Sequence, residues 1–555
     1  MNIWNIQSKE SLKKATPGEI RNILLGNRGI VSDKDREEFL HPTNPIDIAV
    51  SQTGIDKDEL HAALTRIKKA VEKKESIVVY CDYDADGVTS GSVLWEALYT
   101  LGAHVMPYIP HRVEEGYGLS VKGIDTVRDS YHPALLITID HGITGAEQVA
   151  YAKSLGMDVI VCDHHVKPSV VPKAITVHTT TLCAAGIAWF VARELLKKSH
   201  MDALVDLLPL AAIGTVADMM PLVGVNRSLV TYGMKEMTRT KRPGFVCLVE
   251  EAGLDKTAIK STDISHILAP RLNAAGRIEH AIDALRLLCT KDAVRASDLA
   301  RKLGSINKER QQLTIDTTVH ALEMVEDAKT TDGPIILAAH ESYNQGIIGL
   351  VAGKLVERYW KPSIVVSIGE SVSKASARSI PGFNIIEALR QCQDELLEVG
   401  GHPMAAGFTL ETNKIPAFTQ KFSAIAREQL GSAQPQRSIL VDTILPLSSV
   451  TDSVWTMVDS LAPFGIGNPE PVFVSRAVRT TDIRVIGQNQ KHLKGFVRSG
   501  ESGPSFPMVA FGFAGQKEMF ESPGEVDIAY TIDMNTWNSH TSLQLKIRDI
   551  KPHDD

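Results

Sequence analysis

VVYCDYDADG, residues 78–87, places an apolar run directly before three alternating carboxylates, Asp82, Asp84 and Asp86. The apolar run predicts a buried parallel strand, so the carboxylates lie at or just beyond its carboxyl end, where open α/β sheets bind ligands. Three anions at this spacing raise one another's pKa unless one or two divalent metal ions neutralise them. The alternative is a solvated acidic turn that caps the next helix. The stretch therefore predicts an α/β sheet with a cation site at its edge.

Three later segments add polar side chains of the same kind. ALLITID ends in Asp140, followed by His141 and Gly142, and AAIGTVADMMPL carries one acidic residue, Asp218, in an otherwise apolar stretch. The third, MDVIVCDHH, contributes Asp163, His164 and His165. Taken singly, the histidines could be polar loop residues and Asp218 could be a helix cap. Three clusters that each end an apolar strand, plus Asp218, together predict one shared metal site.

The ligand types indicate which metal this site would take. Several carboxylates with one or two imidazoles and no thiolate pattern favour manganese or magnesium over structural zinc. Cys81 and Cys162 lie beside the acidic clusters, but alternation along a strand turns them away and into the core. Five ligands with a shared carboxylate suit two ions about 4 Å apart, the arrangement that promotes phosphoester hydrolysis.

The motifs also resemble a known family. DYDADG, ITIDHG, CDHH and GTVADMMPL, in this order, are similar to the four motifs of the DHH phosphoesterases. From about residue 50 onward, further strings resemble the RecJ branch, whose members are single-strand-specific exonucleases. These strings are HRVEEGYGLS (111–120), PRLNAAGRIEH (270–280), SINKERQQ (305–312), SARSIPGFNI (376–385), GGHPMAAGF (400–408) and LAPFGIGNPEPVF (461–473).

The resemblance implies an enzyme that degrades single-stranded DNA from its 5′ end and releases 5′-mononucleotides, using two Mn²⁺ or Mg²⁺ ions. By motif position, Asp140 is the bridging ligand, Asp82 orients or supplements the ligands, and His165 faces the scissile phosphate or the shell around the metals. The complete set of metal ligands that it implies is Asp84, Asp86, Asp140, His164 and Asp218. One departure is Cys81, where related chains usually have glycine; another is the short segment HTTTLCAAG.

A second set of residues is predicted to hold phosphate. Glycines, a helix start, serine and arginine together can bind an anion. They occur in three segments, NQGIIGLVAGKLVERY, SARSIPG and GGHPMAAG. We predict a 5′-phosphate pocket formed by Arg112, Ser376 and Arg378, as the RecJ resemblance also implies. Near the scissile phosphate or the adjoining backbone we expect Arg271, Asn273, Arg277 and His402. For these four the alternative is pairing across a domain interface.

Composition bounds the class of protein. With 555 residues and 43% hydrophobic content, the chain is globular and should form three or four domains. No apolar run approaches a membrane span, six scattered cysteines form no CxxC pair, and we expect a cytoplasmic protein. The net charge of −7 argues weakly against nucleic acid, but local basic stretches decide binding. The candidates are residues 66–74, 301–310 and 491–496, each of which could equally be a solvated face.

The predicted fold class is α/β. A DHH-type parallel-sheet domain is joined by a long helical connector to a second α/β domain, and an OB-type β-barrel follows. The predicted divisions are an N-terminal helical segment (1–50), the catalytic domain (51–225), a helical region with the connector (226–330), a nucleic-acid-binding α/β domain (331–432) and the barrel (433–555). Phe496, Phe511 and Trp537 could stack on bases, but in a small barrel we expect aromatic side chains in the core.

Three functions fit the motifs. The leading one is a 5′ to 3′ single-strand DNA exonuclease of repair and recombination. The second is a phosphodiesterase for short oligonucleotides or cyclic dinucleotides, although a dinucleotide needs no long connector or barrel. The third is a catalytically inactive single-strand-binding scaffold, although a scaffold has no need for a complete ligand set. We expect a monomer whose partner is single-stranded DNA, with a single-strand-binding protein and a helicase as candidate protein partners.

Overall fold

A computed structural model describes residues 2–8, 15–112, 114–431, 436–522, 524–537 and 540–553, with the side chains of residues 536, 537 and 540 outside that description. The prediction for the Trp537 ring therefore falls outside the described part. Among the described residues, no helix combines the length and the apolar character needed to cross a bilayer.

The N-terminal segment differs from its sequence-based prediction, which had only short helices. It contains a strand, β1 (Ile3–Ser8), before the helices α1 (Pro17–Asn27) and α2 (Asp33–Leu40). Residues of β1 alternate between exposed and half-buried, the pattern of a strand with one covered face. Thr16 and Ser32 cap the two helices by accepting hydrogen bonds from backbone amides of the first turn.

The catalytic unit is built on a five-stranded sheet, β3-β2-β4-β5-β6, in which every neighbouring pair is parallel. Alternate residues of β2 belong to two different apolar clusters, Ile77 and Val79 to one and Val78 and Tyr80 to the other. Both faces of the sheet are therefore covered, as predicted. The strands are β2 (Ser76–Cys81), β3 (His104–Tyr108), β4 (Leu135–Ile139), β5 (Asp158–Asp163) and β6 (Ile175–His178), and the helices are α3 (Lys57–Glu72), α4 (Ala85–Thr100), α5 (Val121–Tyr131), α6 (Ala146–Ser154), α7 (Ala184–Leu196), α8 (Met201–Asp206) and α9 (Leu208–Ala217).

A helical region follows and ends in a 35-residue helix, α15 (Ala293–Asp327). At 1.5 Å per residue this helix is about 52 Å long. Its first half buries Leu303 and Ile306 in the core of the catalytic unit, and its second half buries Ala321 and Val325 in the core of the next unit. It is the predicted connector. The other helices here are α10 (Gly224–Met237), α11 (Pro243–Glu251), α12 (Ser261–Asp263), α13 (Ala269–Ile278) and α14 (Ile282–Cys289).

The second α/β unit has a mixed sheet of order β10-β11-β9-β8-β7. The β7–β8 pair is parallel, while the β8–β9, β9–β11 and β10–β11 pairs are antiparallel. Its elements are β7 (Ile336–His340), α16 (Ile348–Tyr359), β8 (Ser363–Ser367), β9 (Val372–Arg378), α17 (Ile385–Arg390), β10 (Glu398–His402), β11 (Ala405–Glu411) and α18 (Ile415–Leu430).

The C-terminal unit is a closed five-stranded barrel, as predicted. The sheet order is β13-β14-β15-β17-β16, and β16 pairs again with β13. The preceding β12 pairs in parallel with both β13 and β1, and Ile20 and Leu24 of α1 lie in the barrel core, so the N-terminal segment packs with the barrel. The elements are β12 (Ser438–Ile444), α19 (Asp452–Asp459), β13 (Phe473–Ile486), β14 (His492–Ser499), β15 (Ser505–Ala510), α20 (Lys517–Phe520), β16 (Val526–Trp537) and β17 (His540–Pro552).

Two aromatic side chains of the barrel contradict the expectation that they would be core residues. Phe496 is 42% exposed and Phe511 is 58% exposed. Phe496 belongs to a strand whose neighbouring positions, Leu493 and Val497, fill the barrel interior, so alternation turns its ring outward. The sequence pattern did not show which strand face is covered, and that face decides the exposure.

Candidate metal centre and nucleic-acid interface

Three adjacent strands deliver carboxylates to one edge of the catalytic sheet. Asp82 follows β2, Asp140 follows β4, and Asp163 is the last residue of β5. Beyond the strand ends, the amide of Asp82 still donates to the carbonyl of Ile139, and the amide of Asp140 donates to the carbonyl of Cys162. The predicted convergence at the carboxyl edge of the sheet is therefore present, because parallel strands end on the same side.

Glycines let the loop after β2 pack tightly against its surroundings. A Cβ atom on Gly87 would lie 2.5 Å from the carbonyl oxygen of Asp82, so no larger residue fits there. A Cβ atom on Gly91 would lie 2.2 Å from the sulfur of Cys81, and a Cβ atom on Gly276 would lie 2.4 Å from the carbonyl oxygen of Tyr83. Gly91 thus leaves room for the unusual Cys81. Helix α13 lies directly on the loop of residues 82–84, which we call the carboxylate loop.

Two aspartates of this loop are held by backbone amides. Asp84 caps α4, and its Oδ1 accepts hydrogen bonds from the amides of Asp86 and Gly87. The two carboxylate oxygens of Asp86 accept hydrogen bonds of 2.8 and 2.9 Å from the amides of Ala184 and Ala185, at the start of α7. Burial and the neighbouring Asp84 nevertheless raise the pKa of Asp86 to about 7.

His164 connects the carboxylates of separate elements. Its Nε2 lies 3.1 Å from Oδ1 of Asp140 and 3.9 Å from Oδ2 of Asp86, while its Nδ1 lies 3.7 Å from Oδ2 of Asp218. Burial and the neighbouring His165 lower the pKa of His164 to about 4, so the ring is neutral at physiological pH. A neutral imidazole is the form that binds a metal ion.

These side chains form three overlapping groups, and the ligand atoms within each group lie within 4.8 Å of one another. Together they bring every predicted metal ligand into one cluster, along with Asp82 and His165. The groups are Asp82, Asp84 and Asp140; Asp140, His164 and His165; and Asp86, His164 and Asp218.

The charge of this cluster fits divalent cations. Burial and the surrounding carboxylates raise the pKa of Asp82 and Asp140 and raise that of Asp218 to about 8. Asp82 Oδ1 is also buried without a hydrogen-bond partner among the described residues. A buried acceptor and repelling carboxylates are what a hard cation with oxygen ligands would relieve.

Asp163 holds His164 and His165 in place through hydrogen bonds. Its carboxylate accepts hydrogen bonds from the amides of Ile143, His164 and His165, and its Oδ1 lies 2.8 Å from Nδ1 of His165. Burial alone would raise the pKa of Asp163, but the hydrogen bonds and charge of His165 hold it well below its ordinary value. Conversely, Asp163 raises the pKa of His165 against the effect of burial. Residues 163–165 thus carry one candidate metal ligand, His164, and an imidazole, His165, whose pKa is raised.

A cavity of about 600 Å³ lies between the catalytic unit and the second α/β unit. Its lining includes all three residues predicted for the 5′-phosphate pocket, and Arg277 and Lys374 as well. Arg378 donates to Oγ of Ser376 at 3.0 Å, and a Cβ atom on Gly349 would lie 2.7 Å from Arg378 Nη2. Gly349 is in the first turn of α16, so amides at the start of that helix adjoin the guanidinium.

Four cations line the cavity, Arg112, Arg277, Lys374 and Arg378, against one carboxylate, Glu398. Burial, together with the charges of Arg112 and Arg310, lowers the pKa of Arg277 to about 10, and burial lowers that of Arg378. The Arg112 guanidinium also lies 4.9 Å from the centre of the ring of Tyr83, a residue of the carboxylate loop. Sequence reasoning missed Arg310 and Lys374 as single residues, although Arg310 lies in the basic stretch 301–310.

The other predicted site residues are placed differently. Oδ1 of Asn273 accepts a 2.7 Å hydrogen bond from the amide of Ala85, so Asn273 supports the carboxylate loop. Arg271 pairs with Glu251 at 2.7 Å, a contact within the helical region and not across a domain interface. Arg277 lines the cavity and donates to the carbonyl of Gly346. His402 is exposed at the end of β10 and is not among the residues that line the cavity.

One further side chain joins the two sites. The hydroxyl of Tyr117 lies 3.2 Å from Nε2 of His165 and 3.5 Å from the carbonyl oxygen of Asp140, while the residue lines the cavity. The 111–120 string contained Tyr117, but nothing in its pattern singled it out. The cavity and the metal cluster therefore adjoin at Tyr83 and Tyr117.

Comparison with known proteins agrees with this architecture. Residues 76–215 match the DHH family N-terminal domain, residues 332–428 the DHHA1 domain and residues 441–549 the RecJ OB domain. The chain is 36% identical to the single-stranded-DNA-specific exonuclease RecJ of Bacillus subtilis, over 98% of this chain and 70% of that protein. It is 31% identical to RecJ of Salmonella typhimurium, over 95% of both chains.

This chain belongs to the RecJ family. Two crystal structures of RecJ from Thermus thermophilus, one with Mn²⁺ and one with Mg²⁺, superpose with TM-scores of 0.83 and 0.77 at 27% and 26% identity. Each match covers the whole of this chain, and 80% and 79% of those chains. The ions in these RecJ structures are the ones that the oxygen and imidazole ligands here suit.

Proposed function

We propose that this protein is a metal-dependent exonuclease that degrades single-stranded DNA from 5′ to 3′ and releases 5′-mononucleotides in repair and recombination. The observation that carries the proposal is the contact between two opposite sites, an anionic ligand cluster and a cationic cavity that share Tyr83 and Tyr117 at their boundary. The single-strand specificity of the RecJ relatives in Bacillus subtilis and Salmonella typhimurium supports the substrate.

The cavity supports the proposed polarity. A terminal phosphate held by Arg112, Ser376 and Arg378 would fix the distance from the chain end to the metal cluster, so that each cut would release one nucleotide. The metal ions, when bound, supply Lewis acidity and a deprotonated water for phosphodiester hydrolysis. His165, whose pKa is raised by Asp163, is suited to hold a proton next to the scissile phosphate.

The test is a time course with Mn²⁺ on single-stranded DNA labelled at either end. We expect early release of labelled mononucleotide from the 5′ label, slow loss of the 3′ label, and no hydrolysis after EDTA. Duplex DNA and a dinucleotide serve as comparison substrates. Cleavage of the dinucleotide alone would replace the proposal with the small-substrate phosphodiesterase, and binding without hydrolysis would replace it with the scaffold.

We infer a cytoplasmic monomer that cooperates with a single-strand-binding protein and a helicase. The six cysteines are free, as a reducing compartment requires. Analytical ultracentrifugation tests the monomer, and a stable dimer at working concentration would contradict it.

A further inference from the structure

The cavity between the two α/β units is larger than its proposed role requires. Its volume of about 600 Å³ is that of a site which buries a whole drug-sized ligand. The proposed terminal-phosphate pocket uses the part where Arg112, Ser376 and Arg378 lie. The terminal nucleotide would extend from there toward the metal cluster, which adjoins the cavity at Tyr83 and Tyr117. The rest of the cavity has room for groups attached to the terminal phosphate.

One face of β9 connects the two parts of the cavity. Lys374, Ser376 and Arg378 line the cavity at alternate positions of this strand and therefore share a face. Arg378, at the end of the strand, is close enough to Arg277 for its charge to lower the pKa of that residue. Lys374 lies on the other side of Ser376, roughly 7 Å along the strand at about 3.4 Å per residue. Its flexible stem can therefore reach a second or third phosphate joined to one held at Ser376.

A row of polar side chains crosses the sheet at the level of Lys374. The strand register sets Lys374 opposite Ser367 on β8 and opposite Thr409 on β11, and all three residues line the cavity. Ser367 is only 6% exposed, yet its hydroxyl has no hydrogen-bond partner among the described residues. In the same part of the chain, the side chains of Lys374 and Thr409 form neither a hydrogen bond nor an ion pair. One ammonium group and two hydroxyl groups are thus available to a ligand.

The carboxylate in the lining does not neutralise this row. Glu398 on β10 pairs across the sheet with Thr409, so β11 lies between Glu398 and Lys374. Two strand spacings amount to roughly 10 Å. Among the described residues no ion pair joins Lys374 to a carboxylate, so its charge is left for an anion.

We infer that the cavity also accepts DNA strands that begin with a 5′-triphosphate. The first phosphate contacts Ser376 and Arg378, as proposed for a 5′-monophosphate. The outer phosphates reach the row of Lys374, Ser367 and Thr409. A phosphomonoester carries a charge of about −1.5 to −2 at pH 7, and a triphosphate carries roughly twice that, which suits a lining with four cations. This inference rests on the proposed exonuclease function and adds a class of substrate to it.

The reaction on such an end is the same hydrolysis with a different first product. The oxygen of a water molecule bonds to the phosphorus of the first internucleotide linkage, and the bond from that phosphorus to the 3′ oxygen of the terminal nucleotide breaks. The 3′ oxygen takes up a proton, and the terminal nucleotide leaves as a nucleoside 5′-triphosphate. The shortened strand keeps a 5′-monophosphate, so every later cut releases a monophosphate. Strand initiation without a primer is the class of reaction that supplies this substrate, because the first nucleotide then keeps its triphosphate.

The experiment compares three forms of one 3′-labelled oligothymidylate, with a 5′-hydroxyl, a 5′-monophosphate or a 5′-triphosphate. The full chain is assayed with Mn²⁺ for kcat/KM on each strand, and chromatography identifies the first product. Fluorescence anisotropy in EDTA measures binding separately from hydrolysis. Lys374→Gln removes the charge and Lys374→Arg keeps it. The matched control is Lys354→Gln, an exposed lysine of α16 in the same unit that does not line the cavity.

From wild-type protein and the triphosphate strand we expect thymidine triphosphate as the first product, and tighter binding than that of the monophosphate strand. Lys374→Gln should lower the ratio of kcat/KM for triphosphate to monophosphate ends by about tenfold, because a charge-assisted contact with an outer phosphate is lost. Lys374→Arg should keep the ratio close to its wild-type value. Lys354→Gln should leave the ratio and the activity unchanged.

Three outcomes would overturn the inference. The triphosphate strand could stay intact while the other two are degraded, thymidine monophosphate with pyrophosphate could be the first products, or Lys374→Gln could affect both phosphorylated ends equally. Failure of the proposed function gives a different result, since none of the three strands would then be hydrolysed. In that case, tighter binding of the triphosphate strand that is lost in Lys374→Gln would still support the inference, and equal binding of all three strands would refute it.

Discussion

The metal cluster and the neighbouring cavity carry opposite charges, and the pKa values of their groups shift in opposite directions. In the cluster, burial and the neighbouring carboxylates raise the pKa of Asp218 to about 8, and in the cavity, burial and the neighbouring guanidinium groups lower that of Arg277 to about 10. Each shift opposes the charged form of its own group, so neither site is electrostatically complete. Divalent cations would neutralise the carboxylates, and the phosphates of a nucleic-acid end would neutralise the guanidinium groups. We therefore interpret the two sites as one active groove.

The largest loss of activity is expected on removing the carboxylate of Asp140, the predicted bridging ligand. Asp140→Asn should lower hydrolysis of single-stranded DNA by about a thousandfold or more, because a metal-bridging ligand contributes several kcal/mol to the transition state. Asparagine suits the test because Asp140 has a φ of 69°, a conformation that asparagine tolerates. Single-turnover hydrolysis in Mn²⁺ measures the effect. DNA binding should persist, and near wild-type turnover would refute the ligand assignment.

The second prediction addresses the cationic side. Arg378→Ala should weaken binding and cleavage of 5′-phosphorylated strands by about 10- to 100-fold, since a charge-assisted contact with phosphate is lost. Strands with a 5′-hydroxyl should change much less. The measurement is kcat/KM on both kinds of end, with the exposed Arg390→Ala in the same unit as control. Equal losses on both ends would remove Arg378 from the terminal-phosphate pocket.

A smaller loss of activity is expected when Arg378 is displaced but kept. In Gly349→Ala the new methyl group would lie 2.7 Å from Arg378 Nη2 and 3.0 Å from Ser376 Oγ, so the guanidinium must shift. We expect about a fivefold loss, restricted to 5′-phosphorylated ends. Gly353→Ala, in the same helix and with no atom within 4 Å of its Cβ, is the matched control. A similar loss in both variants would point to helix α16 itself.

The smallest effect on hydrolysis is expected beneath the carboxylate loop. Gly91→Ala places a methyl group against Cys81 and should lower the free energy of unfolding by about 1–3 kcal/mol. Adding Cys81→Gly should restore much of that stability, because the two side chains compete for one space. Chemical denaturation of the single and double variants measures the coupling. If the effect of the double variant equals the sum of the effects of Gly91→Ala and Cys81→Gly, the two positions are independent.

The ligand cluster was predictable because its signal is local. Strands such as SIVVY end at acidic residues, and parallel topology brings those ends together. The Arg112, Ser376 and Arg378 set followed from the family resemblance and lines one cavity, while its role in phosphate binding stays a prediction.

Other assignments depended on partners distant in sequence. The packing of α11, α13 and the carboxylate loop decides whether Arg271 faces a phosphate or Glu251. The same packing decides whether Asn273 faces DNA or the amide of Ala85. Strand β1 was not predicted for the same reason. Its six residues form a strand because the distant β12 supplies their hydrogen bonds.

That pairing has a consequence for the order in which the protein is made. Ile3 aligns with Ser438, so the first strand leaves the ribosome long before its partner exists. The catalytic sheet, whose strands all lie between Ser76 and His178, can form while β1 is still unpaired. During that interval the apolar residues of α1 have no core to enter, since the barrel that buries Ile20 and Leu24 is synthesised after the two α/β units. The N-terminal segment therefore stays without its packing partners until the barrel has been synthesised.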